Sequence, residues 1–265
     1  PPINRLLVKK TVQTIRKAKG KNQITAITAY DTLMADFASR ANMDILLVGD
    51  SVGTTALGFQ TTVEVTMEMM IHHCAAVRRA NPSCLLVVDV PFAQAHLSPE
   101  ESLKQCVRLI QEGGAEAVKI EGDSALEGTI AHIVTSGIPV MGHIGLLPQR
   151  INDLGGYRKF GRTEKERDSL LRDAKAMEDA GCFALVGEMI EPQTTAKITS
   201  STSIHIIGIG SGNDCDGQIL VCTDMLGYQS EFNPSFVKTY ANLEETILSA
   251  FKQYGKEVRE GTFPK

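Results

Sequence analysis

At 265 residues, 43% of them hydrophobic, the chain can bury one large core of the kind found in α/β barrels of roughly 250 residues. A formal net charge of -4 argues against nucleic acid as a partner, and no apolar run approaches the roughly 20 residues that span a bilayer, which argues against a membrane. Six cysteines (Cys74, Cys84, Cys106, Cys182, Cys215 and Cys222) are scattered without a C-x-x-C pair, so they read as buried free thiols of a reducing compartment.

Residues 1–23 are basic, with Arg5, Lys9, Lys10, Arg16, Lys17, Lys19 and Lys21. Val8, Val12 and Ile15 fall at helical spacing and Gly20 is a stop signal, which predicts a solvated helix covering one end of the fold; a leftover targeting segment is the alternative. Ile24–Ala29 is the first predicted strand, and Asp31 after it reads as the N-cap of a helix over Thr32–Asn42. Ile45–Gly49 is the second, a continuous apolar run closed by glycine, as in strands buried on both faces of a parallel sheet. A Gly- and Thr-rich loop, Ser51–Thr66, precedes a helix to about Ala80. That helix carries His72-His73, which point in different directions and do not easily share a metal, and Met67, Met69 and Met70, read as core filling.

Leu85–Val88, ending in Asp89, is the third predicted strand, and Ser98-Pro99 with Glu101 marks the start of a helix that ends at Gly113-Gly114. Ala117–Glu121 is the fourth; Lys119 and Glu121 share one face of it, as working groups or as a structural ion pair. Ile138–His143 is the fifth, with His143 at its end. The segment Gly145–Arg162, carrying Arg150, Arg158, Lys159 and Arg162, reads as a lid, a cationic site or a solvated loop. After an amphipathic helix over Thr163–Gly181, Phe183–Gly187 is the sixth strand, with Glu188 at its end and Glu191 three residues on; Lys197 follows in a short helix. Ile204–Ile207 is the seventh and runs into Gly208-Ile209-Gly210-Ser211-Gly212, a turn that suits a phosphate cradle or close packing. Gln218–Val221 is the eighth, and Asn242-Leu243-Glu244-Glu245 opens a last helix. Eight strands alternating with helix or loop predict an α/β fold, a single-domain (β/α)8 TIM barrel over residues 24–265, capped by the helical segment 1–23.

In such a barrel the strand ends open on one mouth, which gathers Asp50, Ser51, Asp89, Lys119, Glu121, His143 and Glu188. Asp50, Asp89 and Glu121 are hard oxygen donors without a thiolate among them, which suits Mg2+ better than Zn2+. A 2-oxo acid can occupy open positions on such an ion through its carboxylate and ketone, and Lewis-acid pull on the ketone oxygen acidifies the adjacent carbon. Lys119 adds a second positive charge. Glu188, among the apolar Val186, Met189 and Ile190, is the candidate general base, leaving an enolate as carbon nucleophile. Ser51 and the backbone after Gly49 are candidates to hydrogen-bond the substrate carboxylate.

These residues lie in segments that resemble the ketopantoate (3-methyl-2-oxobutanoate) hydroxymethyltransferase family. The matching segments are Ile27-Thr28-Ala29-Tyr30-Asp31, Val48-Gly49-Asp50-Ser51, Ala75-Ala76-Val77-Arg78-Arg79, Val118-Lys119-Ile120-Glu121-Gly122, Gly142-His143-Ile144-Gly145-Leu146 and Gly155-Gly156-Tyr157. Gly208-Ile209-Gly210-Ser211-Gly212, running through Asp216-Gly217-Gln218-Ile219-Leu220-Val221, is the most specific, and the ordered set covers the chain from about Leu6 to Pro264. The resemblance implies an enzyme that moves a hydroxymethyl group from the co-substrate 5,10-methylenetetrahydrofolate to 3-methyl-2-oxobutanoate, giving 2-dehydropantoate in pantothenate biosynthesis through a metal-stabilised enolate. It implies one Mg2+ per subunit on Asp50 and Asp89 with Glu121 nearby, and substrate contacts from Asp50, Ser51, Asp89, Lys119 and His143. Glu188 matches the base, and no residue is assigned to the folate. Cytoplasmic homo-oligomers, often decamers, are implied as well.

The chain departs from that pattern in three places. One extra residue follows Glu188, which makes Glu191 a rival for the base; Phe92–Ser98 is one residue longer; and Phe59 stands where a polar residue is expected. A lyase or mutase of the phosphoenolpyruvate/isocitrate lyase type is a rival reading, but its Lys-Cys-Gly-His signature is missing, since Cys182 follows Gly181. A non-catalytic barrel that binds metal or phosphate is the rival from a different class.

Overall fold

Eight apolar runs become eight parallel strands because a strand covered on both faces has no use for alternating polar residues. They are β1 (Ile24–Thr28), β2 (Ile45–Val48), β3 (Leu85–Asp89), β4 (Ala117–Glu121), β5 (Val140–Gly145), β6 (Ala184–Glu188), β7 (His205–Ile209) and β8 (Gly217–Leu220), paired in chain order into a closed barrel. The structure, a computed structural model, describes residues 8–229 and 234–264. Arg5 of the basic run lies outside the described residues. Among the described residues no helix is long and apolar enough to cross a membrane.

Two compact units divide the chain, residues 1–219 and 220–265. In the second, a short helix over Cys222–Leu226 stops at Gly227, and Asn242 caps the helix Leu243–Arg259 by accepting from Glu245 N. In the first, helices connect the strands, and the caps at Asp31 and Ser98 are the predicted ones. Asp31 accepts from Met34 N, Thr66 from Met69 N, Ser98 from Glu101 N and Thr163 from Glu166 N. The two long loops are not bare. The first holds the helical turns Val52–Thr55 and Thr62–Glu64, and the second holds Pro148–Arg150 and Ile151–Leu154. Strands β5 and β7 run two residues past their predicted ends because β6 lies between them and pairs with both, Gly145 with Glu188 and Glu188 with Ile209.

The basic N-terminal segment is a largely solvated helix over one end of the barrel, as expected, and it also plugs that end. Ile15 of the helix Val12–Ala18 is buried among the inward side chains Ile24, Ile45, Leu85, Phe183 and Ile207. Its lysines are tied down. Lys9 Nζ donates to Pro82 O (3.1 Å), Cys84 O (2.6 Å) and Glu116 Oε2 (2.6 Å). Lys19 Nζ donates to Thr199 O (3.2 Å), Ile204 O (2.8 Å) and Asp216 Oδ2 (2.6 Å). These acceptors lie at the N-terminal ends of the strands, where loop carbonyls and carboxylates leave unpaired negative charge for a cation to answer.

Four described non-glycine residues have a left-handed backbone: Asn42, Asn81, Ala93 and Met189. Asparagine tolerates that conformation, whereas alanine and methionine do so at a cost. Ala93 and Met189 both lie in the segments that follow a strand, β3 and β6 respectively.

Ile15→Ala is expected to lower unfolding stability by about 2–5 kcal/mol through the cavity it leaves. Ala93→Gly, which relieves the left-handed penalty (φ +63°), is expected to raise it by about 1 kcal/mol. Urea unfolding followed by circular dichroism checks both.

Candidate active site

Alternation along each strand decides what faces the barrel axis. The apolar core takes Leu85 and Val87 from β3, Ala117 from β4, Met141 from β5, and Ala184 and Val186 from β6. Two residues further along the same inward columns stand Asp89, Lys119 with Glu121, His143 and Glu188. The axis therefore changes from apolar to ionisable at the C-terminal ends. On β2 the column Ile45, Leu47 reaches Gly49, where a Cβ would lie 2.8 Å from Ser51 Oγ and 3.5 Å from Asp89 Oδ2. A side chain here would displace the Ser51 hydroxyl where Asp50 and Ser51 turn into the mouth.

The charged groups touch in a chain. Asp50 N donates to Asp89 Oδ2 (2.9 Å), so this backbone N–H, a candidate for the substrate carboxylate, already has a partner. Lys119 Nζ sits 2.8 Å from Asp89 Oδ1 and 3.3 Å from His143 Nδ1. His143 Nε2 lies 3.3 Å from Glu188 Oε2 without the alignment of a hydrogen bond, and Nδ1 lies 3.6 Å from Glu121 Oε1. Asp50, Asp89, Lys119, Glu121 and His143 are buried, while the Glu188 side chain keeps 15% of its surface open to the mouth. Ser51 Oγ shares a 2.9 Å hydrogen bond with Tyr30 Oη.

Burial, then the charges of Asp89 and Glu121, push the Asp50 carboxyl well above the usual range. Asp89 is also raised, by burial, even with Lys119 beside it. Glu121 moves the other way: burial would raise it, but the nearby His143, the charge of Lys119 and the hydrogen bond from Gln149 N outweigh that. Lys119 is raised, since Asp89, Glu121 and Asp50 overcome its burial. His143 is raised from 6.5 to about 9: burial and Lys119 push it down, but Glu121 and Glu188 win.

Two neighbouring carboxylates that resist ionising are a place where a cation fits. Asp89 Oδ1 is buried and accepts no hydrogen bond, only the charge of Lys119. Among the described residues, no three His, Cys, Asp or Glu side chains group into a ready metal cage. Glu121 is engaged elsewhere, by Gln149 N (3.0 Å) and His143. The protein thus offers a partial oxygen shell of the kind Mg2+ completes with water and substrate oxygens.

Other candidates are accounted for differently. Glu191 precedes the helix Pro192–Ser201 at the rim, 3.8 Å from Arg162 Nε, away from the chain of contacts. The arginines of Gly145–Arg162 each face a carboxylate: Arg150 pairs with Asp153, Arg158 with Glu166 and Arg162 with Glu191. That segment is anchored at both ends, by Gln149 and by Phe160, which bridges to Ile190. Between them the phenol of Tyr157, an exposed side chain, is raised by partial desolvation and by the charges of Glu188, Asp50 and Glu121. In the glycine-rich turn, Ser211 Oγ donates to Gly187 O (2.7 Å) and accepts from Ile190 N (3.0 Å), and a Cβ on Gly208 would meet Cys215 Sγ at 2.6 Å. This turn braces the Glu188 corner. His73 Nδ1 bonds Tyr30 O, and His72 is exposed. Phe59 is partly buried, and its ring edge would lie 3.3 Å from a Cβ at Gly53. Gln149 and Tyr30 are the contacting residues that were not singled out in advance. For Gln149 the available signal was an amide flanked by Leu146, Leu147 and Ile151.

A sequence profile of the ketopantoate hydroxymethyltransferase family matches residues 9–265. A relative from Thermotoga neapolitana, named 3-methyl-2-oxobutanoate hydroxymethyltransferase, is 49% identical over 253 residues, 96% of this chain and 93% of the relative. Among solved structures, a phosphonomutase described as putative, from Burkholderia cenocepacia, aligns with a TM-score of 0.63 at 15% identity, covering 94% of this chain and 98% of that one. A 2,3-dimethylmalate lyase of the PEP mutase/isocitrate lyase superfamily aligns at 0.59 and 15% identity, covering 94% and 88%. At that identity the likeness is one of fold.

A histidine raised in the folded state contributes its stability in full below its ordinary value of 6.5 and loses it as pH rises through about 9. The urea midpoint of chelator-treated protein is expected to fall across that window, and the fall is expected to be absent in His143→Gln.

Proposed function

The chain belongs to the ketopantoate hydroxymethyltransferase family, and from that premise we propose how the barrel mouth performs the reaction. The protein is an enzyme that transfers a hydroxymethyl group to 3-methyl-2-oxobutanoate, giving 2-dehydropantoate. Its fold likeness to lyases and mutases carries no activity across at 15% identity.

In this reading Asp50 and Asp89 hold one Mg2+ per subunit, with Glu121 behind them. The Asp89 Oδ1 atom, which accepts no hydrogen bond and answers only the charge of Lys119, and the raised carboxyls support it. The bound cation would supply Lewis-acid stabilisation of charge developing on the ketone oxygen. Lys119 sets a fixed positive charge beside the same position, and the Ser51 hydroxyl binds the substrate carboxylate. Glu188, open to the mouth, takes the proton from C3. The electron pair left on C3 bonds to the one-carbon unit of 5,10-methylenetetrahydrofolate, whose two bonds to folate nitrogen break; water supplies the hydroxyl, the protons from C3 and water go to those nitrogens, and tetrahydrofolate leaves. His143 flanks the substrate and steadies Glu188. The observation that carries this reading is the unbroken line of contacts from Asp50 through Asp89, Lys119 and His143 to Glu188.

Six buried free cysteines support work in the cytoplasm. Exposed Leu248, Phe251, Tyr254 and Val258 along the last helix support a homo-oligomer.

Proton exchange at C3 of 3-methyl-2-oxobutanoate in D2O, without folate, is the test. With Mg2+ we expect exchange by NMR that drops roughly 10²–10⁴-fold in Glu188→Gln, survives in Glu191→Gln and stops on chelation. Exchange lost in Glu191→Gln and kept in Glu188→Gln would move the base, and no exchange in the folded wild-type protein would overturn the mechanism.

A further inference from the structure

Gln149 lies in the turn Pro148–Arg150 after β5 and is buried. All of its donors shown here reach acceptors at the barrel mouth. Side-chain Nε2 donates to Asp50 Oδ2 (2.8 Å) and to Val90 O (3.0 Å), and the backbone N–H donates to Glu121 Oε2 (3.0 Å). A carboxylate and a carbonyl both demand hydrogens, so the NH2 end of the amide must face them. One residue thus ties the segments that follow β2 and β3 to the end of β4.

An uncharged donor is what this position needs. The surrounding acids already repel one another, and a cation such as lysine here would compete with an incoming metal ion. A carboxamide holds a carboxylate at fixed geometry without neutralising it and does not titrate in the working range. It also engages one oxygen of Asp50 and leaves the other to a ligand.

We propose that Gln149 is a positioning residue: its side chain locks the Asp50 carboxylate, and its backbone locks Glu121, in the orientation that receives a divalent cation before substrate arrives. This rests on the reading of Asp50 as a metal ligand. Partners that orient ligands in this way typically contribute about 10–100-fold to metal affinity.

Mn2+ binding without substrate, by calorimetry, tests the role separately from turnover. Gln149→Met keeps the backbone N–H and the size of the side chain but removes both side-chain donors. Its Kd for Mn2+ is expected to rise by about 10–100-fold while the thermal melt stays cooperative. In an Asp50→Asn background the same change is expected to add little further loss, because the two residues act as one unit. If Gln149→Met fails to fold, Gln149→Asn, whose shortened amide cannot hold both acceptors, is expected to weaken binding in the same direction. An unchanged Kd in a folded variant, or full additivity with Asp50→Asn, would overturn the role alone. Failure of the wild-type protein to bind Mn2+ would overturn the metal reading and this role with it.

Discussion

Burying charge along the barrel axis is the constraint on which the rest depends. An isolated charge in such a place is untenable, so each must be answered by another nearby. Lys119 and Asp89 are direct register partners on adjacent strands, and so are Glu121 and His143. Strand pairing itself therefore brings opposite charges within reach. The contact of Lys119 with His143 between those pairs turns two ladder rungs into one connected group.

The arrangement is unbalanced toward acid, and the imbalance has a use. Asp50 and Asp89 are pushed toward the neutral form by burial, with their acidic neighbours adding to it. A site held short of positive charge favours a small divalent ion over water. The far end of the barrel solves the opposite problem: there the lysines answer backbone carbonyls and carboxylates directly, and Ile15 fills the axis. Charge at one end is matched for stability; at the other it is left wanting for chemistry.

Much of this was legible beforehand because the barrel repeats one rule. An apolar run closed by Asp89, Glu121, His143 or Glu188 is visible in a single chain, and the closed order of strands follows from counting such runs. What the runs could not convey depends on where loops travel. Gln149 acts on Asp50 across 99 residues of chain, and no local pattern encodes that reach. The tethering of Lys9 and Lys19 was hidden for the same reason, since scattered lysines resemble a solvated face until their acceptors are placed. Glu188 already ranks above Glu191 in the sequence because it closes the apolar run directly, and the strand ladder ends at that residue.

Ala93 and Met189 show where this architecture can be edited. Inserting a residue inside a ladder would reverse inside and outside for everything after it. Beyond the last rung, as at Met189 whose N–H still bonds Ile209 O, an added residue leaves the upstream columns untouched. The rim can thus lengthen in single-residue increments while the inward columns keep their phase, so redesigns that graft new loops have splice points in the segments after β3 and β6.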